Sequence, residues 1–247
     1  MKTNLKKFTR ILVYCVLVNL TVTSFAQQTS QDVAKQGTPV GTHITWGKVE
    51  GIAIEGMVQG PATESAPLQI ACVFEYTEGD IFISPPALPA AANGMVHLDE
   101  ALNGIITDVR RSGRFAGHAL ETLLIIPPKG SISATRLLLI GLGDRNKFTP
   151  DLMIDVAAVS MREAMRLGVS HYAFAADVKD AGINSPTALV AGNVVRGAIA
   201  AYRTQAYLKG KGMGGFKTIS KITLLAGMNF FQDAGEGIKT AIADVQQ

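Results

Sequence analysis

The chain has 247 residues, with 23 lysines and arginines against 20 aspartates and glutamates. Four of the basic residues and none of the acids fall in the first 26 positions, which leaves 19 against 20 beyond them, a net charge of −1. So balanced a chain carries no basic patch of the nucleic-acid kind, and its length suits one large domain or two small ones.

In chain order, Lys2, Lys6, Lys7 and Arg10 precede the apolar run 11–20, and Ser24 and Ala26 put small residues at −3 and −1 of a cleavage site before Gln27. This is the secretory signal pattern, with an apolar run too short to span a bilayer comfortably. Residues 1–26 are therefore expected to be a signal peptide cleaved at Ala26–Gln27. The product is expected to be periplasmic or secreted, with no stable membrane anchor after cleavage. Cys15 lies inside the apolar run behind bulky Tyr14, which argues against a lipoprotein.

Residues 27–44 are expected to form a flexible mature N-terminus and residues 45–247 the folded domain. The stretch 46–57 alternates apolar and polar residues as one half-buried strand, with Val49, Ile52 and Ile54 inward and glycines marking a bulge or edge. A second strand spans 67–76. It holds Cys72, which would be the lone cysteine after cleavage, with no intrachain disulfide and an inert, packed thiol. Residues 84–94 are a proline- and alanine-rich loop.

From Leu98 helices and strands alternate. Leu98, Leu102, Ile105, Ile106 and Val109 recur at helical spacing, with Asp99 and Glu100 suited to the helix N-terminus and Gly113 a stop. Residues 119–126 and the fully apolar 136–142 are strands. Thr149-Pro150-Asp151 opens a helix with Met153, Ala157, Met161, Ala164 and Met165 on its core face. A strand over 169–176 follows, then a long helix opened by Ser185-Pro186. That helix is expected to pack through Leu189, Val190, Val194, Ala198 and Ala201. A strand over 219–226 and a helix over 230–245 complete an α/β domain with a mixed, largely parallel sheet flanked by helices.

Four stretches resemble the N-terminal domain of the leucyl aminopeptidase family. They are Leu98-Asp99-Glu100-Ala101-Leu102-Asn103-Gly104, Gly113-Arg114-Phe115-Ala116-Gly117-His118, Leu138-Leu139-Ile140-Gly141-Leu142-Gly143, and the helix from Gly192 to Arg203 with its terminal tyrosine–arginine pair. Their order and spacing over about 130 residues carry the resemblance more than any one of them. It implies a three-layer, macro-domain-like fold. In the family this domain contributes to hexamer assembly and shapes access to active sites on a separate two-metal catalytic domain, whose motifs have no counterpart here. Lys209-Gly210-Lys211-Gly212 resembles a catalytic lysine–glycine stretch but lacks its aspartate. The resemblance thus implies a non-catalytic binding or assembly module, partnered by its own copies or by a separate peptidase chain. No catalytic residue, cofactor or metal is expected.

The alternative is a macro-like small-molecule binder, of nucleotide or ADP-ribose type, or an enzyme of that kind. Gly141, Gly143 and Asp144 follow a buried strand, with a helix N-terminus six residues later, and free amides there suit an anion. With Asn93 and Gly94 they form the candidate ligand loop. Set against this, a tight strand exit also needs glycine. His43, His97, His118 and His171 are isolated in sequence. His97 beside Asp99 and Glu100 is the best metal candidate, although those acids serve a helix N-terminus equally well. No Gly-x-Ser-x-Gly elbow occurs.

Overall fold

A computed structural model describes residues 37–247 except positions 81 and 84. The expected leader, its cleavage site and residues 27–36 lie outside the described residues. Where the expected flexible stretch enters them it is tied down: the Thr38 N–H donates to Met228 O, the Gly41 N–H to Val58 O, and a strand begins at His43.

Among the described residues seven strands, β1 (His43–Val49), β2 (Ile52–Val58), β3 (Gln69–Val73), β4 (Thr122–Ile125), β5 (Leu137–Gly141), β6 (His171–Ala175) and β7 (Lys221–Ala226), form one sheet in the order β1-β2-β7-β6-β3-β5-β4. The five inner strands run parallel, and β1 and β4 close the two edges antiparallel. Buried on both faces, β3 and β5 are apolar at nearly every position, as parallel strands under helices must be.

The first strand expected from sequence is really two. The alternation over 46–57 is interrupted by Glu50 and Gly51, both at positive φ (52° and 79°), which turn the chain into the β1–β2 hairpin. The expected bulge is present, between Thr45 and Gly47.

The first helix also differs. Helix α1 (Gly94–Ala101) starts four residues early, and α2 (Ile105–Arg111) is separate from it. Asn103 and Gly104 sit between them at φ 56° and 78°, a conformation no α-helix accommodates. Asp99 does cap a helix, but it is α2: its carboxylate accepts the Ile106 N–H at 2.8 Å and the Thr107 N–H at 3.3 Å.

Helices α3 (Leu152–Arg166), α4 (Thr187–Gly210) and α5 (Phe231–Gln246) pack side by side. Glycines permit the close approach: a Cβ on Gly197 of α4 would lie 2.0 Å from the Ile154 carbonyl oxygen of α3. Val190, Val194, Ala198 and Ala201 are buried as expected. Leu189, however, is 42% exposed, because Asn193 and Gly197 complete the buried stripe instead. On α5, Phe231, Ile238 and Ile242 turn into the protein's own core, with the Phe231 ring 5.7 Å from that of Trp46 in β1.

Candidate functional site

The described residues contain a cleft of about 760 Å³ at the carboxyl ends of β2, β6 and β7, roofed by the start of α4 and bordered by the start of α1. Carboxyl ends of parallel strands are where open α/β sheets hold ligands, because loops and helix N-termini converge there. The volume falls in the range of small-molecule sites, roughly 300–1,000 Å³. Its walls are mostly apolar, with Val58, Phe174, Val190, Leu224 and Phe230 among them.

The polar groups come mainly from the loop between β6 and α4. Asp177, at φ 55°, accepts the Cys72 N–H at 3.0 Å. Asp180 accepts the Met95 N–H at 3.1 Å, in the first turn of α1. Burial, reinforced by the neighbouring Asp180, pushes the Asp177 carboxyl well above the usual carboxylate range. Burial also raises Asp180, to about 6, against the opposing pull of the Met95 and Gly94 amides and of His97. Ser185 is buried and lines the cleft, and its Oγ has no hydrogen-bond partner. Lys179 also lines the cleft, with its ammonium 5.8 Å from the Phe230 ring centre.

The candidate ligand residues are not brought together. Gly94 lines the cleft, but Asn93 is wholly buried and fully engaged. Its Oδ1 caps α1 through Met95 and Val96, and its Nδ2 donates to the Phe82 and Asp180 carbonyls. Gly141, Gly143 and Asp144 lie outside the cleft wall. The Gly141 and Gly143 amides donate to Glu121 O and Gly117 O, and a Cβ on Gly141 would meet His118 O at 2.0 Å. The Asp144 carboxylate is spent on the Asn146 N–H at 2.9 Å. Those glycines let the 117–121 segment cross the strand exit.

The histidines are dispersed. His43 pairs with Glu55 at 2.8 Å, His118 with Glu75 at 2.6 Å, and His171 lies beside Ser170. His97 stands at the cleft rim, and Asp99 faces α2 instead. Among the described residues no group of three or more histidine, cysteine, aspartate or glutamate side chains is placed to hold a metal ion. Cys72 is fully buried, and burial together with Asp177 pushes its thiol up, away from reactivity. Asp177, Asp180 and Ser185 carried no signal in sequence, because an acid or serine in a loop is ordinary until the fold shows what surrounds it.

Residues 81–211 match the profile of the cytosol aminopeptidase family, N-terminal domain. A probable cytosol aminopeptidase of Roseiflexus castenholzii is 31% identical over 140 residues, covering 57% of this chain and 28% of that protein. One of Acidobacterium capsulatum is 39% identical over 66 residues, 27% of this chain and 13% of that protein. The matched stretch thus spans 28% of the length of one relative and 13% of the other. Among solved structures, a tomato leucine aminopeptidase superposes with a TM-score of 0.54 at 16% identity, over 84% of this chain and 37% of that one. An Oceanobacillus iheyensis macrodomain with ADP superposes at 0.51 with 10% identity, over 83% and 97%. At these identities the likeness establishes the shared fold, a mixed seven-stranded sheet flanked by helices.

Proposed function

Starting from the fact that the chain belongs to the cytosol aminopeptidase family through that family's N-terminal domain, we propose that it is an exported, non-catalytic binding and assembly module. It associates with its own copies or with a separate peptidase chain. The observation that carries this reading is that the family match lies wholly within the N-terminal domain. The surface that supports it is edge strand β4. Leu120, Leu124 and Ile126 point outward there at 36%, 36% and 67% exposure. An edge strand flanked by outward apolar side chains favours association.

Three measurements on protein recovered from the envelope fraction test the parts of this reading. Mass analysis is expected to place the N-terminus at Gln27. Light scattering or pull-down is expected to show an oligomer or a co-purifying peptidase. The purified chain is expected to release no leucine from peptides with added zinc, manganese or cobalt, because two-metal hydrolysis needs bridging carboxylates. A monomer without partners, or metal-dependent turnover that survives a host-peptidase control, refutes it.

The cleft favours a second reading, a macro-type small-molecule binder. The two are compatible if the ligand acts on assembly.

A further inference from the structure

Two polar features of opposite sign face the cleft, and the fold leaves both incomplete. The first is the N-terminus of α4. No side chain caps it, and its first backbone bond is from Val190 N–H to Pro186 O. The amides of its opening turn therefore present the positive end of a 24-residue helix. Ser185, separated from it by Pro186, is only 5% exposed, lines the cleft, and has no partner for its Oγ. A buried hydroxyl without a partner is costly and uncommon, so its presence marks a place where something else completes the bonding.

The second feature is the acid pair. Asp177 accepts the Cys72 N–H and Asp180 the Met95 and Gly94 amides, and neither forms an ion pair with a lysine or arginine among the described residues. Val58, Phe174, Val190 and Leu224 give the cleft an apolar wall, and Lys179 and His97 also line it.

Resting on the second reading above, that the cleft takes a small molecule, we propose that its ligand is an amino-carboxylate on an apolar frame. The carboxylate is received by the α4 amides and the Ser185 hydroxyl, the ammonium by Asp177 and Asp180, and the frame by Val58, Phe174, Val190 and Leu224. A plain anion would meet the acid pair, and a plain cation would meet the positive helix end. Only a molecule carrying both charges satisfies both.

The test uses three molecules of one shape: L-phenylalanine with both groups, phenethylamine with only the amine, and 3-phenylpropanoate with only the carboxylate. ADP is a fourth probe. Calorimetry on the mature protein is expected to show L-phenylalanine binding at least about tenfold more tightly than either single-headed analogue, the loss expected when a charge-assisted contact is removed. Asp180→Asn is expected to weaken L-phenylalanine and phenethylamine while sparing 3-phenylpropanoate. Ser185→Ala and Thr187→Pro are expected to weaken L-phenylalanine and 3-phenylpropanoate while sparing phenethylamine.

Thr187→Pro deletes one helix amide at the first helical position, where proline is well accommodated, and Pro186 before it is already extended at ψ 114°. Melting curves confirm that each variant is folded. A single-headed analogue binding as tightly as L-phenylalanine overturns the proposal, as do variants that fail to separate the two charges. Binding of ADP alone overturns it while retaining a small-molecule cleft, and binding of none of the four overturns both.

Discussion

Asp180 is held where its ionised form is disfavoured, and the consequence for stability can be given a sign. Its folded pKa, about 6, lies above the ordinary 3.8. Between those values the native chain keeps a proton that the unfolded chain has released. Stability therefore falls as pH rises through about 4 to 6 and carries the full penalty above that window. Asp180→Asn retains an oxygen to accept the Met95 N–H and removes the charge. It should stabilise the protein by on the order of 1–2 kcal/mol at pH 7.5 and by nothing measurable at pH 4, read by melting temperature at both. An equal effect at both pH values would show that the carboxyl titrates normally. Such a residue is hard to find by reading. Asn93 and Gly141 draw attention by their type, yet Asn93 turns out to be a helix cap and Gly141 a crossing point. Asp180 matters only because α1, sequentially distant, delivers an amide to it.

Among the elements, the deeply buried ones were legible: β3, β5, the core stripe of α3 and, apart from Leu189, that of α4 follow from apolar periodicity. The misread elements share one cause. At Glu50-Gly51 and at Asn103-Gly104, two consecutive residues adopt positive φ and reverse or break the chain without disturbing the apolar pattern around them. Helix–helix distance was equally hidden. In isolation, Gly197→Ala should favour α4 by about 1 kcal/mol. Here the added Cβ would sit 2.0 Å from Ile154 O, backbone that cannot swing aside. The net result should be a loss of about 1–3 kcal/mol or more in urea unfolding, as for overpacked cores. Gly210→Ala, at the far end of the same helix with nothing within 4 Å, should be neutral or slightly stabilising. Equal effects at the two sites would contradict the close α3–α4 contact.

For the whole molecule, α5 is covered by its own domain, and exposed apolar side chains lie at the opposite edge of the sheet. Ile242 packs onto Gly47 of β1, and the Arg203 guanidinium bonds Val245 O, so α5 is fastened along its length. At the other edge, Leu124 and Ile126 lie outward on and just past β4. Replacing both with lysine should dissociate any self-assembled form, seen by light scattering, and leave the melting temperature of the monomer nearly unchanged. An oligomer that survives the pair of lysines places the interface elsewhere.

The order of the strands also has a temporal consequence. Strand β2 is among the first made, yet its parallel neighbour β7 follows about 160 residues later. At ribosomal rates of about 5–20 residues per second, the early hairpin waits on the order of 10–30 s for the strand that joins it to the sheet. Until then Ile52 and Ile54 have no complete core to enter. The early hairpin thus stays unanchored until β7 is made, and a chaperone that binds unfolded polypeptide has that whole interval in which to engage it.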